Sequence, residues 1–238
     1  MKTYDARLTE IQMQAGGRLA AWIDCPLTAI PAAGQYVLAY APGDPLAVLG
    51  TPLFRGVDVG RVESVGTGFL AAPPLPPTWM PGMTLVLRGP LGRGFSLDGQ
   101  RLALAALDDT VNRLLPLAAE TLQRGDAVTL FTNAPLPALS ASIEVYPLRS
   151  LPEALAWADC LAIDLPLETL GGLRAGLGLN TGDRLALPAQ ALVFTPTPCG
   201  GLADCGACAV PTRRPLAQRR YSLACKDGPV FDLDELEW

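Results

Sequence analysis

The chain predicts a multi-domain α+β protein. It reads as an antiparallel β-barrel over residues 1–97, a small parallel α/β layer over 98–195 and a cysteine-bearing segment over 196–238. Three observations predict this. Glycine (24) and proline (23) are plentiful and spread along the 238 residues, which suits short strands and tight turns better than a helical bundle. Short apolar runs bounded by turns dominate to about residue 97, after which strand-like and helix-like stretches alternate. Four of the six cysteines then crowd into the last 40 residues.

In the first segment Leu19–Ile23, Gln35–Tyr40 and Thr84–Leu87 are apolar runs between Gly and Pro turns, of which Pro31–Gly34 and Pro81–Met83 are the clearest. Short strands with few helical stretches suggest a small barrel. Residues 71–78 carry four prolines, which remove four backbone donors, so they form a loop or an extended edge. In the second segment Leu102–Leu107 is a continuous apolar run and reads as a buried strand. Asp108 or Asp109 then caps a helix through about Gln123, ended by Gly125. Ala127–Phe131 is the next strand. The alternation repeats more weakly through Ile143–Tyr146, a helix around Glu153–Trp157 and Cys160–Ile163, which makes a small parallel layer.

The cysteines of the tail carry the chemistry. Cys199, Cys205, Cys208 and Cys225 are spaced C-x5-C-x2-C-x16-C, close to the C-x4-C-x2-C…C pattern by which plant-type ferredoxins hold a [2Fe–2S] cluster. Thiolates must wrap a small rhomb on several sides, so the loop has to curl, and Gly200, Gly201 and Gly206 permit the positive φ this needs. Backbone N–H groups exposed by the curl can donate to sulfur and tune the potential. Two other readings compete. Structural zinc usually sits between two short cysteine knuckles far apart, whereas this chain has one knuckle with a thiol before it and a solitary one after it. Disulfides need an oxidising compartment, to which nothing in the chain points. Cys25 and Cys160 lie alone in apolar segments and read as ordinary buried cysteines.

Half the residues are apolar and 17% charged, with a mean hydropathy of +0.28. No stretch approaches the roughly 18 uncharged apolar residues that cross a bilayer, and Met1–Glu10 lacks the apolar core of a signal peptide. A cytoplasmic protein is expected, with part of the apolar excess covering a partner surface. The net charge of −5 argues against a nucleic-acid platform. The absence of histidine removes His-based acid–base catalysis, Rieske-type ligation and Cys2His2 zinc. Arg213, Arg214, Arg219 and Arg220 lie between the third and fourth cysteines, as a solvated loop or as a docking patch for an acidic partner.

In this order, barrel, α/β layer and cysteine tail resemble the iron–sulfur electron-transfer subunit of class 1B dihydroorotate dehydrogenase, of the ferredoxin-reductase-like group. The residues that carry the resemblance are Cys199–Cys208 followed by Cys225–Phe231, Ala33–Val37 (similar to the family's P-G-Q-F-V strand) and Gly89–Phe95 (similar to its G-P-L-G-x-G-F). The resemblance spans the chain and is strong in about a quarter of it. It implies a catalytic flavoprotein subunit as partner, a place in pyrimidine biosynthesis, and electrons passing through the cluster to FAD on the barrel and then to NAD. A flavin stands between the two because a cluster moves single electrons and NAD takes a hydride.

Two departures bear on those cofactors. Where the family has an Arg-Pro-Phe-Ser-like flavin motif, this chain has Thr51–Phe54, without the arginine or the serine. Arg55 is four residues on, roughly 13 Å along a strand at about 3.3 Å per residue. The resemblance therefore implies FAD, and the sequence argues against its retention. Where the family has a glycine run before P-L-L-P-L-A, this chain keeps Leu114–Ala118 but has Ala106–Thr110 in place of the glycines. Side chains there block a close approach of phosphate, and Asp108 and Asp109 would repel it while favouring the helix dipole, so the sequence argues against NAD. Five residues rather than four separate the first two cysteines; an extra residue can bulge within a glycine loop. No residue qualifies as acid, base or nucleophile. The expectation is a [2Fe–2S] electron-transfer subunit relaying single electrons to or from a partner oxidoreductase. The alternatives are an active FAD-containing, NAD-linked reductase subunit and a non-redox, zinc-holding partner or regulatory subunit.

Overall fold

Six antiparallel strands fill the first part of the chain: β1 (Thr3–Met13), β2 (Leu19–Asp24), β3 (Tyr36–Tyr40), β4 (Thr51–Phe54), β5 (Gly68–Ala71) and β6 (Thr84–Leu91), in the order β4-β3-β6-β1-β2-β5. The structure, a computed structural model, describes residues 2–42, 50–57, 67–180, 183–216 and 219–238; the side chains of 214–220 lie outside the described residues. The two edge strands meet and close the sheet on itself: Arg55 bridges Ala71, Gly56 N–H donates to the Leu70 carbonyl (2.7 Å) and Ala72 N–H to that of Phe54 (2.8 Å). Inside, Leu8, Ile23, Val37, Leu53, Phe69, Leu85 and Leu87 are buried, each stabilising the barrel by about 1.5–3 kcal/mol. β1 gave no apolar run in the sequence because only Ala6 and Leu8 of its eleven residues are buried. After β5 the proline-rich residues 72–78 form no strand, as four missing donors require.

The second sheet has the order β14-β11-β10-β7-β8-β9. β7 (Arg101–Ala106), β8 (Ala127–Thr132), β9 (Ile143–Tyr146), β10 (Cys160–Pro166) and β11 (Ala189–Phe194) are parallel, and β14 (Val230–Asp232) from the tail adds to β11 antiparallel. One face is covered by α1 (Leu115–Gln123); α2 (Leu151–Ala154) and α3 (Leu173–Gly176) are single turns packed on the other. The helix expected from Asp108 begins later, at Leu115, with Leu114 at its cap and no side-chain cap bond. Residues 111–114 instead make a turn that drives Val111 and Leu114 into the core, and Pro116 in the first turn suits a helix start there. Gly125, at φ +85°, ends the helix as expected. The helix expected around Glu153–Trp157 is shorter and earlier, at Leu151–Ala154 after a 3-10 turn.

From β7 the chain runs outward through β8 to β9, then crosses back to β10 and β11. The reversal of direction falls between β7 and β10, and the crevice outside the carboxyl ends of these two strands is where such sheets take ligands. The tail closes the fold. β12 (Ala209–Leu216) and β13 (Arg219–Leu223) form a separate hairpin, and Phe231 and Leu236 pack beneath it into the core of the α/β layer. Among the described residues no helix is long and apolar enough to cross a membrane.

Candidate metal centre

Backbone curl, not side-chain packing, shapes the cysteine loop. Gly200 (φ +61°), Gly201 (+71°), Ala203 (+65°) and Gly206 (+70°) are all left-handed, and Ala203 is the one such non-glycine among the described residues. A left-handed alanine costs about 1–3 kcal/mol and persists where its surroundings hold it. The consequence is a concave run of N–H groups: those of Cys205, Asp204 and Leu202 point at the Cys199 sulfur. With the Cys205 thiol they hold Cys199 at a pKa of about 6, well below the usual thiol range, the Cys205 N–H acting most strongly. A thiolate held by backbone donors is a ligand prepared in advance.

The other two thiols are brought together by the hairpin. Ala209 pairs with Leu223 at its base, and Ala224 N–H donates to the Cys208 carbonyl at 2.9 Å. The sixteen residues between Cys208 and Cys225 therefore lead out and back, and the two sulfurs come to rest 3.2 Å apart. Two ligands on one tetrahedral ion, each at about 2.3 Å, stand about 3.8 Å apart, so this pair needs to open by about half an ångström. Both are buried, and burial, then the Cys208 thiol, pushes Cys225 up to about 12. Uptake of a metal by this pair would displace a proton. Cys205 is exposed and Cys199 half-buried, so one edge of the site faces solvent, with the exposed Leu202 of the same loop.

The four expected residues thus meet as two pairs, Cys199 with Cys205 and Cys208 with Cys225, and all six cysteines are free thiols. Among the described residues no three Cys, Asp or Glu side chains close around a single ion. Cys25 and Cys160 are buried elsewhere, in the barrel and under α1; burial and then Asp24 push Cys25 up to about 11. The barrel seats the loop. The Tyr36 hydroxyl donates to the Cys225 carbonyl at 3.0 Å, and Arg88 Nη2 donates to the Gly200 carbonyl. Burial raises the Tyr36 pKa, and the charges of Cys225, Cys208 and Cys199 add to this while Arg88 opposes it. Sequence reasoning missed both residues, because strands distant in sequence supply them and nothing local marks them.

Next to this seat lies the crevice between barrel and α/β layer, reached by the Thr51–Phe54 stretch. It is full. Tyr36, Phe54 and Phe194 pack ring on ring with centroids 5.7 and 6.1 Å apart. The void left among Tyr36, Pro52, Phe54, Phe194 and Cys225 is about 10 Å³, room for one water at most. Phe54 stands where the resemblance would place a flavin-binding serine. Arg55 is paired with Glu120 of α1 rather than turned toward an anion. These residues do not fit a flavin.

The crevice at the carboxyl ends of β7 and β10 is occupied in the same way. Arg113, wholly buried, donates through Nε to both oxygens of Asp164 (3.1 and 2.9 Å) and through Nη2 to Asp108 (2.5 Å), with its Cζ 4.6 Å from the centroid of the Phe194 ring. Burial pushes Asp164 up to about 6, with Arg113 pulling against it. Asp109 pairs with Arg18. The two carboxylates therefore neutralise arginines instead of capping α1, which corrects the expectation that they favour its dipole. Two carboxylates beside a guanidinium already bonded to them disfavour a pyrophosphate there. Of the basic stretch, Arg213 is exposed with its guanidinium 5.6 Å from the Trp238 ring; the side chains of Arg214, Arg219 and Arg220 lie outside the described residues.

Residues 200–237 match the family described as the iron–sulfur cluster binding domain of dihydroorotate dehydrogenase B. This chain is similar to the electron-transfer subunits of dihydroorotate dehydrogenase B. Cys199 falls one residue outside the matched span. The whole chain has the ferredoxin-reductase-like fold, as solved structures show. An NADH-dependent reduced ferredoxin-NADP oxidoreductase, described for flavin-based electron bifurcation, is 17% identical with a TM-score of 0.69, over 98% of this chain and 89% of that one. The ferredoxin reductase of carbazole 1,9a-dioxygenase is 16% identical (TM-score 0.58, 81% of this chain, 69% of that one). Phthalate dioxygenase reductase, described as a modular structure for electron transfer from pyridine nucleotides to [2Fe–2S], is 12% identical (TM-score 0.53, 79% and 68%). No curated protein matches the chain.

Proposed function

We propose that this chain is a cytoplasmic electron-transfer subunit that holds one [2Fe–2S] cluster on Cys199, Cys205, Cys208 and Cys225. In this reading it passes single electrons to or from a partner oxidoreductase of the dihydroorotate dehydrogenase kind. The pairing of the thiols carries the proposal. A rhombic cluster asks for two thiolates at each of two irons, whereas a zinc ion asks for four around one centre, and the loop and the hairpin each deliver one pair. The cluster supplies one-electron storage. The chain supplies the curled backbone that charges Cys199, the hairpin that juxtaposes Cys208 and Cys225, and a barrel that seats both.

Residues 1–97 and 98–195 act as a scaffold for the segment 196–238, without a flavin or nicotinamide of their own. Support for this comes from Phe54 and Phe194 in one crevice and the Arg113–Asp164–Asp108 group in the other. The test is metal analysis of protein purified without oxygen. Two irons and two acid-labile sulfides per chain, with a brown colour and no flavin band near 450 nm, are expected. Stoichiometric zinc without sulfide overturns the proposal.

A further inference from the structure

Arg88 is half-buried, and among the described residues it has no counter-charge. It lies on β6 with Leu87 and Gly89, both buried, on either side of it. The other arginines with described ion pairs (Arg18, Arg55, Arg93, Arg101, Arg113 and Arg124) each meet a carboxylate within 4 Å. Among the described residues Arg88 meets none. Its Nη2 donates to the carbonyl of Gly200, the residue after Cys199, and its Nε is buried without a partner. The loop lies directly upon it: a Cβ built on Gly201 would stand 3.5 Å from Arg88 Nη2, 3.5 Å from the Tyr36 hydroxyl and 2.9 Å from Leu38. Glycine at 201 serves the left-handed turn (φ +71°) and the close approach to Leu38, which together lay the cysteine loop beside the guanidinium.

A charge partly withdrawn from water without a partner is costly; one held against the loop that carries Cys199 is compensated when thiolates are gathered there. We propose that Arg88 is a positioning residue of the cluster whose positive charge, fixed beneath the Cys199 loop, raises the cluster's reduction potential. The inference rests on the cluster reading above. Reduction adds one electron from the donor to a group that four thiolates already make anionic, with no bond broken and no proton taken up. A fixed cation beside the site stabilises the more negative state more than the less negative one.

Anaerobic potentiometric titration of the full chain, followed by its visible and electron paramagnetic resonance signals, tests this. Arg88→Gln keeps a donor without the charge and is expected to lower the one-electron equilibrium constant for reduction about tenfold, a fall of 59 mV. Arg88→Lys keeps the charge and is expected to stay within about threefold of the parent. Arg124→Gln removes a charge at the end of α1, on the other face of the sheet, and is expected to leave the midpoint unchanged. The role of Arg88 is overturned if Arg88→Gln holds the parent midpoint, or if Arg124→Gln or Arg88→Lys falls as far as Arg88→Gln. Should Arg88→Gln lose its iron, Arg88→Met takes its place under the same criteria, and a parent midpoint in Arg88→Met overturns the role. Parent protein devoid of iron and sulfide overturns the cluster reading and this one together; loaded protein with an insensitive midpoint overturns only the role of Arg88.

Discussion

Ala203 is the residue at which spacing and structure meet. The loop holds five residues between its first two cysteines, and Ala203 takes up the added length by turning left-handed, with its N–H donating to the Cys225 sulfur. The same turn leaves the N–H groups of Leu202, Asp204 and Cys205 aimed at Cys199. That these four cysteines gather in one corner was legible in the sequence because their spacing is local, and the structure brings them together as two pairs. Asp108 and Asp109 were legible as carboxylates unfavourable to phosphate, but their arginine partners were not, since Arg18 and the orientation of Arg113 are set by packing across the fold. Cysteine substitutions separate the two kinds of thiol. Cys25→Ser and Cys160→Ser are expected to keep two irons and two sulfides per chain, since neither belongs to a thiol pair. Cys205→Ser, which removes one member of the exposed pair, is expected to lose the cluster or shift its visible spectrum. Iron loss in Cys25→Ser equal to that in Cys205→Ser would contradict the assignment.

At the scale of elements, strands bounded by turns were readable and their partners were not. β2, β3, β6, β7, β8 and β9 lie close to their expected positions, because apolar runs between glycine and proline are local signals. β14 contributes three residues of the tail to β11, and a strand of that length has no periodicity to read. The late start of α1 has a physical cause: the residues before it are held by the buried Arg113 between Asp108 and Asp164. That arrangement makes a prediction. Arg113→Met strands Asp164 and Asp108 without their cation, and is expected to destabilise the chain by about 3–5 kcal/mol, as loss of one member of a buried ion pair does. Adding Asp164→Leu and Asp108→Asn to Arg113→Met removes the orphaned charges and is expected to recover most of the loss. Urea unfolding of the two variants measures both effects; equal destabilisation in the single and triple variants would show that packing of Arg113 on Phe194, rather than charge, holds the crevice.

For the molecule as a whole, both crevices are filled among the described residues by the chain's own side chains. On the proposed function the redox site is then the cysteine corner at the surface, and a one-electron centre with no flavin beside it has no route for a hydride. On that reading electrons arrive from, or leave to, another protein across the solvent-facing edge near Cys205 and Leu202. The basic stretch between the third and fourth cysteines borders that edge in sequence, and Arg213 is exposed there. Two measurements follow from this placement. The loaded chain alone is expected to stay oxidised in the presence of NADH, whereas a dihydroorotate dehydrogenase-like flavoprotein carrying an acidic docking face reduces it. Reversing Arg213 and Arg214 to glutamate is expected to slow that reduction mainly through the association rate. The difference from the parent is expected to shrink as ionic strength rises and the Debye length falls from about 10 Å at 0.1 M toward about 3 Å at 1 M. Stopped-flow reduction at several salt concentrations reads the effect directly. A rate independent of both salt and the reversed charges would place the docking contact on uncharged residues such as the exposed Leu202 instead, and reduction by NADH alone would mean that a hydride acceptor remains within the chain.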